Sequence, residues 1–324
     1  MKASAGTRSG RRIAPLALGW ALALGAPASA ATLYVTNQGE NTLSIIDTAT
    51  RKEIRKVPVN GGKPHNAVLS RDGKLLYVAN VKTGSVSVFT VKDMKEVATL
   101  PAGKGCHGVT LSPDGSQLWT ANVGENTVTV IDTATRRRIA TLESHGKKPM
   151  LVAFTPDGRL AFVSNGATAD VAVFDAKSRK HLKTIFAGKN VMGIEASPDG
   201  KSVWVNEGGD RVVSVIDTGK LEVVREIRQG RDPHGLTFGP GGKRVYITNR
   251  ADDSVSVVDA ATFQVLAKIP TSGKPDIIAV SPDGKELYVT TRANGVVDVI
   301  DLEKRVRVAT IPVGKDPHGI VLQP

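Results

Sequence analysis

Residues 314–324 read GKDPHGIVLQP. Three earlier phrases match them: GGKPHNAVLSRDG at 61–73, GKGCHGVTLSPDG at 103–115 and GRDPHGLTFGPGG at 230–242. Those three run on through a tight turn into a further apolar stretch, whereas the last copy stops short of it. The sequence therefore repeats, and its final repeat is a fragment. Each full unit runs LYVTN, polar turn, SVIDTAT, basic turn, VATIPVG, Gly-rich loop, GIVLSPDG. Copies begin near Leu33, Leu75, Leu118, Leu160, Val203, Val245 and Leu287, 42 or 43 residues apart.

Within a copy the apolar residues alternate, as in SVSVF at 85–89 and SVSVV at 254–258. Period two with Val and Ile enrichment predicts strands. The separators are turn formers, with SPDG at 112–115, 197–200 and 281–284 and DTAT at 47–50 and 132–135. Proline suits an early turn corner, and glycine supplies positive φ. Four short strands in a unit of about 40–45 residues describe a propeller blade. The expectation is an all-β, seven-bladed propeller over 31–324, forming a single domain. The opening ATLYVTN supplies the second strand of one blade and the closing HGIVLQP its first strand. Their pairing would close the ring and leave fewer open strand edges.

The words YVTN at 34–37 and YITN at 246–249, together with SPDG, resemble the YVTN-repeat propellers, exported seven-bladed proteins of bacteria and archaea. The resemblance extends from 31 to 324 and is specific for fold. For function it implies only a scaffold, whose relatives bind haem-type tetrapyrroles, bind single-stranded DNA, open lactones or serve at cell surfaces.

Residues 1–30 stand apart. Lys2, Arg8, Arg11 and Arg12 precede the apolar run IAPLALGWALALGAP, and Ala28-Ser29-Ala30 follows. A positive start, a short apolar run and an A-x-A site read as a cleaved secretory signal. Arg11-Arg12 leaves the twin-arginine and general export routes both open. The run is short and broken by Pro15, against its being a membrane anchor. Loss of four cations would take the formal charge from +12 to +8. A periplasmic, monomeric protein is expected. With Cys106 its single cysteine, it has no internal disulfide and depends on packing.

One position of the repeat carries the chemistry. Just before the GIVL-type strand the seven copies hold His65, His107, Met150, Met192, His234, Asp276 and His318. Four of the chain's six histidines and two of its four methionines fall there. If this strand is innermost, the column rings the channel, and closure makes His318 a neighbour of His65. Cys106 adjoins His107. Imidazole suits Zn, Cu, Fe and Ni, and sulfur ligands select Cu(I). Metal–nitrogen bonds near 2.0–2.1 Å require convergence, so three adjacent members such as His318, His65 and His107 are expected to hold an ion. Alternatively they would ligate a haem-type tetrapyrrole. The structural alternative also stands, because duplication alone would propagate a Pro-His-Gly word. The glycines at 108, 193, 235 and 319 then serve close backbone packing.

A positive residue precedes each column position: Lys63, Lys104, Lys148, Lys189, Arg231, Lys274 and Lys315. Arg250 and Arg292 are expected on the same face. Converging cations attract anions, so an anionic small ligand or a protein partner is expected. Nucleic acid is disfavoured, because stacking platforms are not evident beside the charge. Asn37, Asn80, Asn122, Asn165 and Asn249 end the second strands and read as turn caps. Glu207 breaks that column and is the functional candidate within it.

The word GKGCHG at 103–108 fits G-x-G-x-x-G but lies between strands, where no dinucleotide helix follows. No HExxH, CxxC, G-x-S-x-G or P-loop is present. The leading reading is an exported non-catalytic binding protein for a transition metal, copper among them, or for an anionic metal-containing ligand. A lactonase- or lyase-type enzyme and a docking module using the basic face are the alternatives.

Overall fold

The computed structural model describes residues 1–3 and 31–324, so the leader-like run and its expected cleavage site lie outside the described residues. Each 42- or 43-residue unit supplies three strands to one four-stranded antiparallel sheet and the first strand of the next, and among the described residues there are seven such sheets. Apart from two single-turn 3-10 segments, Pro240–Gly242 and Arg250–Asp252, regular structure among the described residues is all strand.

Of the twenty-eight strands among the described residues, numbered in chain order, seven line the axis. They are β4 (Pro64–Leu69), β8 (Cys106–Leu111), β12 (Pro149–Phe154), β16 (Val191–Ala196), β20 (Pro233–Phe238), β24 (Pro275–Val280) and β28 (Pro317–Gln323). Each packs on the next, and β28 packs on β4 to complete the circle. The closure is the expected one. β28 pairs with β1 (Thr32–Asn37), with Leu33 opposite Leu322 and Val35 opposite Ile320. The fragments at the two ends thus share one blade.

The core lies between blades. Trp119 of one blade meets Phe154 and Phe174 of the next edge-on, at ring-centroid distances of 5.4 and 6.1 Å. Trp204 packs on Phe238 and Phe263 of the following blade. Burying such rings, and orienting them edge to face, supplies cohesion that no disulfide provides here. The turns behave as their composition predicts. In 112–115, Ser112 Oγ donates to Asp114, and the Gly115 N–H closes the turn on the Ser112 carbonyl with glycine at φ 75°.

The asparagine column is structural, though not as caps in left-handed backbone. Asn37 Nδ2 donates to Thr42 and Ser44, Asn122 to Thr127 and Thr129, and Asn249 to Ser254 and Ser256. Each buried amide therefore ties the second strand to the third. The left-handed residues are instead in the turns, among them Asn41 and Asn126.

Candidate functional site

The column residues reach the axis because the ladder slips at that point. In β4, Pro64 pairs with Asn80 and the next pair is Ala67 with Val78, so His65 and Asn66 lie in the irregularity. The same slip occurs at the column position of every other blade. Such bulges re-aim a side chain. Hydrogen bonds between blades then fix it. Thr36 donates to the His65 carbonyl at 2.7 Å, Ser164 to Met192, Asn206 to His234, Thr248 to Asp276 and Thr290 to His318. Glycine after the column lets the next blade approach. A Cβ on Gly193 would stand 2.1 Å from the His234 carbonyl oxygen, and one on Gly235 2.3 Å from that of Asp276.

The result is a tight plug. His65, His234 and His318 are 5%, 4% and 2% exposed, and Asp276 is fully buried. The His65 ring stacks, tilted, against both His107 and His318 at centroid distances of 3.6 and 3.5 Å. His65, His107 and His318 do not form the tightest donor cluster. Ligand-type atoms of His234, Asp276 and His318 lie within 4.8 Å of one another. His234 Nε2 stands 2.9 Å from Asp276 Oδ1, and His318 Nε2 stands 3.4 Å from Oδ2.

Asp276 is the anionic centre of this cluster. Arg250 approaches Oδ1 through Nη2 at 2.5 Å and Nε at 3.1 Å, and Arg292 approaches Oδ2 at 3.3 Å. Burial alone would raise the Asp276 pKa, but His318, His234 and Arg250 outweigh it and hold the carboxyl well below the usual range. Burial depresses all four histidines, His107 to about 4. They are therefore neutral at pH 7. A neutral imidazole facing an ionised carboxylate presents its N–H to it, which sets His234 and His318 as Nε2–H tautomers. His107 is the reverse, since its Nδ1 faces the Met150 carbonyl at 3.0 Å and that oxygen only accepts.

This assignment leaves the Nδ1 lone pairs of His234 and His318 without partners. Nδ1 of His65, His234 and His318 is buried with no hydrogen bond. Buried polar atoms are nearly always partnered, so three such atoms in one ring call for a ligand. Beside them lies a cavity of about 10 Å³, lined by His65, His107, Met150, Met192, His234 and His318. That is about the space of one water or one ion. The donor set fits a metal ion. It does not fit a tetrapyrrole inside the ring, because pockets for ligands of that size run to hundreds of Å³.

Cys106 does not belong to the ring. Its side chain packs with Tyr77, Val86, Leu100 and Leu118 between blades. Successive strand residues point to opposite faces, so the neighbour of an axial His107 must turn away. Burial pushes the thiol up to about 12, and it stays protonated.

The seven expected cations, Lys63, Lys104, Lys148, Lys189, Arg231, Lys274 and Lys315, are all exposed in the loops preceding the inner strands. Arg231 is paired with Asp252 and Lys189 with Asp210. Arg250 and Arg292 are partly buried and face inward to Asp276, and Arg292 also forks onto Asp316 at 2.6 and 2.8 Å. They are structural partners of the plug rather than free members of the outer ring.

Glu207 occupies the asparagine place in its blade. It is buried, and it accepts a hydrogen bond from Ser214. Burial chiefly, with Glu226 and Asp210 adding repulsion, pushes its carboxyl up to about 7. A folded-state pKa above the unfolded value means the folded chain holds the proton more tightly. Stability therefore falls as pH rises from about 4.5 to about 7. Glu207→Gln removes that penalty. It should raise the unfolding free energy at pH 8 by on the order of 1–3 kcal/mol and change nothing near pH 4. Urea melts of both chains at the two pH values measure it; an equal gain at both would assign the effect to packing.

One channel residue escaped the sequence reading. Glu195 lies three positions after Met192, where the other inner strands carry Val68, Thr110, Ala153, Thr237, Ala279 and Val321. A charge at a position otherwise small or uncharged was the available signal.

Fold and plug together define a YVTN-type seven-bladed propeller whose channel is stopped at one end by a neutral histidine ring. Comparison with known families agrees, each match covering part of the chain. A YNCE-like beta-propeller family matches over 238–323, the Cytochrome D1 heme domain over 119–235 and the seven-bladed Lactonase propeller over 23–100. No curated protein is matched. Among solved structures, the chain is similar to the Kuenenia stuttgartiensis hydrazine synthase, with a TM-score of 0.77 and 22% identity over 87% of this chain and 99% of that one. It is also similar to a functionally unknown protein from Desulfotomaculum acetoxidans DSM 771, with a TM-score of 0.80 and 14% identity over 90% and 98%. At these identities the likeness is one of fold.

Proposed function

We propose that this is an exported, non-catalytic protein that binds one soft transition-metal ion at the histidine ring, with copper(I) the best match. The observation that carries the reading is the set of three unpartnered buried Nδ1 atoms beside an ion-sized cavity. Neutral imidazoles with thioethers from Met150 and Met192 make a soft donor set. Asp276 and Asp316 are already matched by Arg250 and Arg292, so the surroundings offer no spare negative charge to a dication. Asp276 in this reading orients His234 and His318 through their Nε2–H groups, as carboxylates commonly do behind metal-binding histidines. Export rests on the leader-like residues 1–30. The seven exposed cations would receive an anionic ligand or an acidic partner surface.

The Cytochrome D1 heme domain match favours a second reading, a tetrapyrrole lying on the cation face above the plug. His65, His234 and His318 are too enclosed to reach it as axial ligands without movement.

The test is metal content and absorption of the untagged protein, followed by anaerobic copper(I) titration against a chromophoric chelator. One copper per chain is expected, without a Soret band. Met192→Leu should weaken copper by about tenfold and leave the fold intact, while His65→Ala/His318→Ala abolishes stoichiometric binding. A protein that neither carries nor takes up copper or zinc sinks the metal reading. A Soret band that survives dialysis establishes the second one.

A further inference from the structure

We propose that the channel on the other side of the plug is a second binding site, which takes a small organic cation, a protonated amine with an apolar body, with Glu195 as its counter-charge. This channel opens on the face of the SPDG turns and encloses about 600 Å³, a volume ordinary for a small-molecule site. Its wall mixes polar groups with apolar side chains, among them Val68, Leu111, Ala153, Leu236 and Ile277.

The polar residues of the wall are mostly committed to the wall itself. Asn66 Oδ1 accepts from the Val109 N–H at 3.2 Å, and Thr110 Oγ1 donates to the Val152 carbonyl at 2.8 Å. Arg71, near the turns, donates to the Ser112 carbonyl. Glu195 differs. It is the single carboxylate of the lining, and no cation among the described residues pairs with it. Its Oε1 has only two long contacts, with Thr237 Oγ1 at 3.5 Å and the Phe238 N–H at 3.4 Å. Bonds of that length are weak, and Oε2 receives none from the described residues. Burial, only partly offset by those contacts, pushes this carboxyl up to about 7, as expected of an acid that lacks a counter-charge. An under-bonded carboxyl beside apolar side chains in an open-ended channel is chemically complementary to an ammonium group on a hydrocarbon body.

Benzylamine, with benzyl alcohol as its neutral counterpart, tests this by calorimetry on the full propeller at about pH 8. Benzylamine should bind, and benzyl alcohol should bind at least about tenfold more weakly, as loss of a charge-assisted hydrogen bond implies. Glu195→Gln should bring benzylamine down to the level of the alcohol, and Val68→Phe should block both by filling the channel. The alcohol comparison uses the unaltered chain, so it decides the matter even if a variant folds poorly. Binding should also survive His65→Ala/His318→Ala, which separates this site from the metal ring. No benzylamine binding up to about 10 mM, equal binding of amine and alcohol, or binding unchanged in Glu195→Gln overturns the proposal.

Discussion

Asp276→Ala should lower the unfolding free energy by about 3–5 kcal/mol, among the largest effects of any single side chain here. The carboxylate is fully buried and faces Arg250, Arg292, His234 and His318. Removing it leaves the partly buried Arg250 without a carboxylate partner, leaves Arg292 with Asp316 alone, and strips two histidines of their Nε2–H acceptor. Loss of one member of a buried ionic cluster costs more than the cluster contributes net, because the remaining charges stay desolvated. Asp276→Asn, which keeps the shape and an acceptor oxygen, should fall between the two. The pH dependence follows from the depressed pKa. Such a carboxyl contributes stability that is fully present above its unfolded value near 3.9 and is lost as pH falls through the folded value. The gap between the unaltered chain and Asp276→Ala should therefore hold from pH 7 to about pH 4 and close only in stronger acid. Urea midpoints across that range provide the check. A loss under about 1 kcal/mol at pH 7 would mean that both arginines relax into water.

Deleting residues 317–324 should abolish cooperative folding. It removes β28, the inner strand of the blade begun by β1, and exposes the edge of β1 to pairing with other chains. The Thr36 bond to Gly319, the Thr290 bond to the His318 carbonyl and the packing of Ile320 all go with it. The expected product has native-like far-ultraviolet dichroism, no sharp melt and a tendency to aggregate. A synthetic peptide of sequence GKDPHGIVLQP, added during refolding, should restore the melt. A truncated chain that melts cooperatively within about 5 °C of the full one would show that the six remaining blades hold the ring alone, since 1 kcal/mol moves the melt of a domain this large by only a few degrees.

Both effects originate in features with different legibility. The 42- to 43-residue spacing, the alternation SVSVF and the turn word SPDG are local, and local backbone preferences produce strands and turns wherever they occur. Their sevenfold recurrence sets the blade number, and the split final repeat sets the closure. The histidine column was equally plain, because equivalent positions in a closed repeat must meet at the axis.

Distances across the axis were beyond local reasoning. That Asp276 gathers Arg250 and Arg292 depends on side chains from adjoining blades converging at the mouth of the plug. That His234 and His318 flank Asp276 follows from blade order, but that their ring nitrogens come within 2.9 and 3.4 Å of its carboxylate is set by the packing. Cys106 shows the complementary failure: it is next to His107 in sequence, but strand alternation sends it into the core. Sequence alone determined the strands, the seven blades, the closing pair and the ring of axial donors, because these follow from periodicity and chain connectivity. Only the tertiary structure decided which donors converge, how small the space between them is, and that Glu195 stands under-bonded in the channel beyond. Those depend on how tightly seven sheets close, and hence on which polar groups burial leaves without partners.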